Sequence, residues 1–283
     1  MGTIEQERPQ RKEIQPRFRA WMLFDLDGVI LRWVHAHTPD ASHQAEMLAS
    51  IQRAKDAGVG IAVLTNRPPG AMPAVAYDLG IDYGIWVTEM GGSLYDVHAH
   101  KSMVAPEWIH MAPRVRNLRL YLQDMLGIKE QPQSFDEPQF EPGMGLMKTV
   151  LIPPHGISAR SYADRDLAQA LSNGGFENEF SVNVGKAIDI DPMGLSKAQG
   201  MEMLISQNGI DVSHIPTIWI ADHDRDIAAG QVLLHRGGMV ASVGNANPSY
   251  RDFVQSSGGI CAPESTSYHS SVTHIVETFL HSL

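Results

Sequence analysis

The sequence is poor in three features that would each define a class of protein: cysteine, excess positive charge and long apolar runs. Cys261 is the single cysteine, which excludes an internal disulfide framework and is typical of a reducing compartment. With 22 basic against 32 acidic residues, the chain lacks the basic excess on which general nucleic-acid binding depends. No apolar run approaches the roughly 20 residues that span a bilayer, and the N-terminus is too polar for a signal peptide. We therefore expect a cytoplasmic protein that binds neither nucleic acid nor membrane.

The length of 283 residues, 43% of them hydrophobic, is enough for one large domain or two modest ones. We predict two domains. Residues 1–19 mix charged and polar residues with two prolines and show no apolar periodicity, so they are expected to form a flexible tail.

Short apolar runs alternate with helical patterns in two parts of the chain. The first part has predicted strands at 21–24, 59–64 and 83–87, with predicted helices at 42–57 and 71–79. The second has predicted helices at 197–207 and 226–235 and predicted strands at 217–221 and 239–243. Strands that alternate with helices favour a parallel sheet with right-handed crossovers. The predicted fold class is α/β, with a Rossmann-like, doubly wound parallel sheet.

The intervening segment has a different character. It is rich in proline, with a predicted helix at 115–126 and short apolar runs at 147–152 and 180–184. We interpret it as an α+β domain inserted into the sheet-forming domain. The predicted division is a core of residues 20–89 and 187–283 and an insertion of residues 90–186.

Asp25 and Asp27 stand two residues apart at the end of a buried apolar run and are followed by Gly28. Side chains two apart on extended backbone point the same way, so both carboxylates can face one substrate. Asp25 can attack phosphorus as a nucleophile, which divides one difficult displacement into two easier ones. Asp27 can donate a proton to the leaving group and then accept one from water. The pair therefore indicates phosphoryl-transfer chemistry.

A carboxylate can approach an anionic phosphate only if a cation offsets the charge, and Mg²⁺ suits a site made of oxygen ligands. Asp25 and Asp222 are the predicted carboxylate ligands, with the backbone carbonyl of Asp27 as a third. Asp226, one helical turn after Asp222, is expected to hold a water on the metal or to orient the other ligands.

The predicted phosphate contacts come from two other strand and helix ends. Lys197 begins a helix after Gly194-Leu195-Ser196 and can reach the transferring oxygens as a point charge. Thr65 offers a hydroxyl, and Asn66 and the amides that follow can donate at a helix N-terminus. Arg67 either orients the substrate or braces the loop before two prolines.

These motifs together resemble those of the haloacid dehalogenase superfamily, in particular the Cof-type and sugar-phosphate phosphatases that carry a large α/β (C2-type) cap. The matching segments occur in the family's order: Asp25-Leu-Asp27-Gly-Val, Leu64-Thr65-Asn66-Arg67, Val87 to Asp96, Asp191-Pro-Met-Gly194-Leu-Ser-Lys197, Ile220-Ala-Asp222-His-Asp224-Arg-Asp226 and Val243-Gly-Asn245-Ala246. The resemblance implies a Mg²⁺-dependent phosphatase whose core performs the chemistry and whose cap closes over the site and selects the substrate.

Three residues depart from the family's usual pattern. Met90 stands where Asn is usual, Ala221 where Gly is usual, and Arg225 where Asn commonly precedes the last aspartate. Arg225 can pair with a neighbouring aspartate or face solvent. Because the charged catalytic types are all retained, we interpret the departures as altered specificity.

The predicted substrate is a small phosphorylated metabolite, either a sugar phosphate or a phosphoglycerate-type ester. A phosphotransferase or mutase would use the same residues with a different acceptor. A catalytically silent binding protein on the same fold is the alternative from another class. A dehalogenase is disfavoured, because that chemistry does not call for Asp27 as acid and base or for a metal-binding Asp222.

Overall fold

The computed structural model describes residues 18–31, 41–128, 139–140, 145–185, 187–266 and 268–283. The strands are β1 (Ala20–Phe24), β2 (Val59–Val63), β3 (Ile85–Thr88), β4 (Ser93–Asp96), β5 (Lys101–Val104), β6 (Gln139–Phe140), β7 (Thr149–Ile152), β8 (Phe180–Val184), β9 (Ile188–Pro192), β10 (Thr217–Ala221), β11 (Met239–Ser242) and β12 (Ile260–Cys261). The helices are α1 (Ala41–Asp56), α2 (Met72–Leu79), α3 (Ala112–Leu126), α4 (Ala159–Tyr162), α5 (Ala168–Asn173), α6 (Lys197–Gln207), α7 (Ile227–His235), α8 (Pro248–Ser256) and α9 (Tyr268–Ser282). A π-helical segment, Ala163–Leu167, joins α4 to α5, and 3-10 turns occur at Pro69–Ala71, Glu89–Gly91, Pro106–Met111 and Asp224–Asp226.

A five-stranded parallel sheet with the order β12-β11-β10-β1-β2 forms the centre of the molecule. All the residues of β1, β2 and β10 are buried. Continuous apolar runs of this kind are typical of parallel strands covered on both faces. The predicted α/β fold class with a doubly wound parallel sheet is confirmed.

The chain reverses its direction of travel across the sheet between β1 and β10. From β1 it passes through α1 to β2 on one side, and from β10 through α7 to β11 on the other. Right-handed crossovers in opposite directions place their helices on opposite faces of the sheet. Accordingly α1 packs against α9, and α6 packs against α7. The gap between the two crossovers is where ligands bind in folds of this kind.

A three-stranded antiparallel sheet, β3-β4-β5, follows the first crossovers and adjoins the central sheet through a bridge between Leu64 and Val87. Leu94 and Tyr95 of β4 are buried in the same apolar cluster as the central sheet. We call the central sheet, its helices and this small sheet the core unit.

A second apolar cluster belongs to what we call the inserted unit. Its four-stranded antiparallel sheet has the order β6-β7-β9-β8, and one face of the sheet packs on α3 and on the segment from α4 to α5. Ile188 and Ile190 of β9 are buried there, while Asp189 and Asp191 alternate with them on the opposite face.

The pairing of β4 and β9 moves both domain joints from their expected positions at 90 and 187. Residues 93–104 belong to the core unit, since β4 and β5 pair with β3. Residues 188–192 belong to the inserted unit, since β9 pairs with β7 and β8. The change from one unit to the other therefore falls near 105 and near 192.

The expected tail of residues 1–19 also ends earlier than predicted. Phe18 packs against Trp21 and Tyr83, with ring centroids 4.8 Å apart in both pairs. The backbone N–H of Arg19 donates to the carbonyl of Gly58 at 3.0 Å. Phe18 and Arg19 are thus part of the folded body, and residues 1–17 lie outside the described residues. Within the described ranges, none of the helices combines the length and the apolar character needed to cross a bilayer.

Candidate active site

Four polar side chains meet at the carboxyl ends of the central strands. Asp25 follows β1, and its backbone N–H donates to the carbonyl of Ile220 at 3.0 Å. Thr65 follows β2 by two residues, and Asp222 follows β10 directly. Lys197 is the first residue of α6, where the Ser196 hydroxyl caps the helix by accepting from the N–H of Gln199. The site lies at the point where the strand order reverses.

A buried acidic cluster forms the centre of this site. Carboxylate oxygens of Asp25, Asp222 and Asp226 lie within 4.8 Å of one another, and all three residues are buried. The Lys197 ammonium lies 2.9 Å from Asp25 Oδ2 and also donates to Asp226 Oδ1. The other oxygen of Asp226 accepts from the backbone N–H of His223 at 3.2 Å. Asp226 therefore holds both Lys197 and the turn that carries Asp222.

Burial and mutual repulsion disfavour the ionised forms of Asp25 and Asp222. Burial raises the pKa of Asp25 to about 7, against the attraction of Lys197 and with the repulsion of Asp226. Burial likewise raises the pKa of Asp222 to about 8, and the charges of Asp25 and Asp226 add to the effect. For Lys197, burial acts against the charged form, but the two carboxylates outweigh it and its pKa lies above the ordinary value. The cluster holds a firmly charged lysine beside carboxyl groups that need a further positive charge.

The residues of the cluster fit Mg²⁺. When the three carboxylates are ionised, one lysine balances one of them and two negative charges remain, which a divalent cation would offset. All the donors are oxygens, as Mg²⁺ prefers. Gly28 leaves room for Asp222: a Cβ at Gly28, whose φ is +79°, would lie 2.0 Å from Asp222 Oδ2. Asp25 and Asp222 would hold the ion, and Asp226 would orient Lys197 beside it.

Asp27 lies apart from the acidic cluster and is bound by Arg67. The Arg67 Nε donates to both oxygens of Asp27 at 3.0 Å, and Nη2 donates to Oδ1 at 2.6 Å. Among the described residues, the group of carboxylates close enough to share a metal does not include the Asp27 side chain. The sequence predicts that Arg67 either orients the substrate or braces the loop before two prolines. In the structure its guanidinium binds the Asp27 carboxylate, and both roles stay predictions.

The Thr65-Asn66-Arg67 segment, which we call the substrate loop, presents polar groups next to Asp27. The Thr65 hydroxyl is buried and accepts from the N–H of Arg67 at 3.2 Å, which leaves its own hydrogen available. The side-chain oxygen of Asn66 is buried and has no hydrogen-bond partner within the described part of the chain. A buried acceptor without a partner is costly, so a bound group that donates to it would be favoured.

The three departures from the family pattern lie in different environments. Met90 has a left-handed backbone with a φ of 55°, and its N–H donates to the carbonyl of Thr65 at 3.1 Å. Ala221 is buried at the end of β10, opposite Ser242. Arg225 is exposed on its 3-10 turn and makes no ion pair with another described residue. The Arg225 guanidinium therefore faces solvent.

Two residues with direct contacts to the site were not predicted to have a role. The Asn245 side chain donates to the carbonyl of Gly28 at 3.1 Å, next to the Asp25-to-Asp27 segment. Glu89 is 1% exposed and follows β3, and its N–H donates to the carbonyl of Arg67 at 3.1 Å. Both occur in motif segments identified from the sequence, but nothing in those segments indicated the partners.

A cleft near α6 is separate from this site. It has a volume of about 970 Å³ and is lined by residues that include Trp108, Met193 and Arg236. None of the predicted catalytic side chains lines it. The polar strand ends, and not this cleft, bring the predicted site residues together.

Comparison with known proteins identifies the fold. No protein-family model matches the chain, and no curated protein matches it. A haloacid dehalogenase-like hydrolase from Bacteroides thetaiotaomicron is 17% identical, with a TM-score of 0.62 over 92% of this chain and 98% of that one. A HAD/COF-like hydrolase from Plasmodium vivax is 13% identical, with a TM-score of 0.60 over 94% and 96%. The sucrose-phosphatase from Synechocystis, solved with sucrose and phosphate, is 16% identical, with a TM-score of 0.56 over 93% and 98%. The chain therefore has the fold of haloacid dehalogenase-like hydrolases over nearly its whole length.

Proposed function

We propose that this protein is a Mg²⁺-dependent phosphatase that hydrolyses a small phosphorylated metabolite through an aspartyl-phosphate. The observation that carries the proposal is the buried cluster of Asp25, Asp222, Asp226 and Lys197 at the reversal point of the sheet. Three buried carboxylates with a lysine have little structural value in themselves, because burying unbalanced charge costs free energy. The free-energy cost of burying them is offset if the cluster binds a cation and a phosphate.

Asp25 supplies the nucleophilic oxygen. It attacks phosphorus, and the bond between phosphorus and the leaving alcohol breaks as Asp27 gives that alcohol its proton. In the second step a water molecule loses a proton to Asp27 and attacks phosphorus, which releases phosphate and restores both carboxyl groups. Lys197 holds Asp25 and faces the transferring oxygens, and Mg²⁺, when bound, offsets the charge of the carboxylates and the phosphate.

Arg67 controls when Asp27 can act. In this structure its guanidinium binds both oxygens of Asp27, so neither is free to contact the leaving group. A phosphate suits the planar donor pair of arginine as well as a carboxylate does. We infer that an arriving phosphate ester draws Arg67 toward itself and releases Asp27 for proton transfer.

A sugar phosphate is the preferred substrate class, with a phosphoglycerate-type ester as the second choice. The sucrose-phosphatase among the structural neighbours acts on a sugar phosphate by its name. The face of the inserted sheet that is not packed on helices carries Asp189 and Asp191 with Lys148, whose ammonium lies 2.8 Å from Asp189. Two carboxylates against one lysine suit the hydroxyl groups of a sugar better than a second acid group.

The test is a screen of phosphate esters with the purified protein and Mg²⁺, measured as released phosphate. We expect turnover without an added acceptor, whereas a phosphotransferase or mutase would need an acceptor or move the phosphoryl group within the substrate. Asp25→Asn is the background control. Parent turnover no higher than that of Asp25→Asn over the whole screen would favour a silent binding protein.

A further inference from the structure

Glu89 connects the two units of the molecule at the substrate loop. It follows β3 in the core unit, and both it and Met90 have left-handed backbone, with φ of 51° and 55°. Two consecutive non-glycine residues in this region are strained and persist only where the surroundings hold them. The N–H groups of Glu89 and Met90 donate to the carbonyls of Arg67 and Thr65, both at 3.1 Å. The backbone of the strained turn therefore holds the substrate loop in place through these two hydrogen bonds.

The Glu89 carboxylate points the other way, into the inserted unit. It accepts from three consecutive backbone N–H groups, those of Leu146 at 3.1 Å, Met147 at 3.1 Å and Lys148 at 2.8 Å. It also accepts from the hydroxyl of Ser93 in the core unit. We call residues 145–148 the amide loop. A row of backbone N–H groups around one carboxylate is an anion-binding arrangement, here occupied by a side chain of the same protein.

The sequence of the amide loop is fitted to this contact. At Gly145 a Cβ would lie 1.6 Å from Glu89 Oε1, so a larger residue would expel the carboxylate. Behind the loop, Arg119 of α3 donates from Nη2 to the carbonyls of Gly145 at 2.8 Å and Lys148 at 2.7 Å. Its Nε donates to the Thr149 hydroxyl at 3.0 Å. The N–H groups are thus directed at Glu89 while the carbonyls are held by a cation.

We propose that Glu89 is a positioning residue that couples the placement of the inserted unit to the conformation of the substrate loop. Its side chain fixes the amide loop, and its backbone fixes the carbonyl of Arg67, which in turn holds Asp27. A displacement of the inserted unit would then be transmitted to the candidate proton donor through a single residue. The effect on turnover rests on the proposed phosphatase function, whereas the coupling itself does not.

Glu89→Gln is the variant that tests the coupling. Its amide keeps the size of the side chain but replaces one acceptor with an N–H₂ group that faces backbone N–H donors. Glu179→Gln is the matched control, because Glu179 binds Arg114 within the inserted unit, with Arg114 Nε 2.7 Å from Glu179 Oε2. Among the described residues its side chain forms no hydrogen bond with either loop. Amide hydrogen exchange, followed by mass spectrometry, reports on both loops in the intact protein.

In Glu89→Gln we expect at least tenfold faster exchange at 146–148 and also in the peptide that contains 65–67, with neither change in Glu179→Gln. Faster exchange at 146–148 alone, or at neither loop, would overturn the coupling. If Glu89→Gln does not fold, Arg119→Lys loosens the amide loop from behind, and the same two segments must respond together.

Turnover separates this inference from the proposed function. With p-nitrophenyl phosphate and Mg²⁺ we expect kcat of Glu89→Gln to fall at least tenfold and that of Glu179→Gln to stay within about twofold of the parent. Coupled exchange in a protein that hydrolyses no ester would leave the positioning role standing and reject the phosphatase. Normal turnover in Glu89→Gln would reject the positioning role alone.

Discussion

Asp222 makes the free energy of unfolding depend on pH by an amount that follows from its burial. Folding raises its pKa from 3.8 to about 8, so between these values the folded protein keeps a proton that the unfolded chain has lost. The contribution of this group is therefore most favourable below the unfolded pKa, and stability falls as pH rises, by about 1.4 kcal/mol per pH unit. From about pH 5.5 to about pH 7.5 we expect Asp222 to lower the unfolding free energy by roughly 3 kcal/mol without divalent cations.

Urea denaturation in EDTA measures this quantity as the difference between the parent and Asp222→Asn. The parent should lose stability relative to the variant as pH rises, because asparagine has no proton to lose. Asp78→Asn, which changes an exposed residue of α2, should follow the parent. Mg²⁺ should restore the stability of the parent at the higher pH and have little effect on the stability of Asp222→Asn, because a ligand stabilises only the state that binds it. Parallel pH dependence of the parent and Asp222→Asn in EDTA would refute the argument.

Three further substitutions test individual contacts of the site. Asp25→Asn should lower phosphate release by at least about 10³-fold while the melting temperature stays near that of the parent, since the nucleophile is lost and the shape is kept; a residual rate near the parent's would contradict its role. Arg67→Lys should lower kcat about tenfold, because a single ammonium cannot replace the two-pronged contact by which Arg67 passes from Asp27 to the phosphate; an unchanged kcat in steady-state assays would count against that contact. Gly28→Ala should cost about 1–2 kcal/mol for the left-handed backbone alone and weaken Mg²⁺ binding by displacing Asp222, as measured by denaturation and metal titration; an unaltered metal affinity would show that Asp222 has room to move.

The central sheet was predictable because its signals are local. β10 and α6 match their predicted bounds, as does β8 of the inserted sheet, and β1 and β2 each differ by one residue. A parallel strand covered on both faces requires a continuous apolar run, which the sequence shows directly. The start of α6 was visible in Ser196, whose hydroxyl caps it. The polar residues at these strand ends could be assigned to one edge because parallel strands end together.

The grouping of β9 with the inserted unit depends in part on pairing with a distant segment. β9 alternates two isoleucines with two aspartates, a pattern of a half-buried strand, and it pairs with β8 across a short turn and with β7 far earlier in the chain. The sequence pattern does not reveal the pairing with β7, so it assigns 188–192 to the core. The α8 and α9 helices, toward the C-terminus, were not predicted either, although α9 packs closely on α1.

The partners of charged side chains could not be predicted from the sequence either. Arg67 was open to two interpretations, because a loop arginine can bind substrate or protein equally well by composition. Its pairing with Asp27 depends on how β1 and β2 align, which sets the distance between their ends. Glu89 illustrates the same limit more strongly, since its partners are backbone amides about 57 residues later and carry no side-chain signal.

The charge balance of the site connects metal, substrate and loop. The acidic cluster leaves two negative charges when fully ionised, and the pKa values of Asp25 and Asp222, about 7 and about 8, show that the fold resists that state. A phosphate dianion would add repulsion, so it should bind well only after a divalent cation has compensated the carboxylates. A second cation near the site, Arg67, is engaged with Asp27, and we expect phosphate to compete for it. We therefore expect the cation to bind first, the phosphate to bind second and Asp27 to be released third. In this order, each event lowers the electrostatic cost of the next.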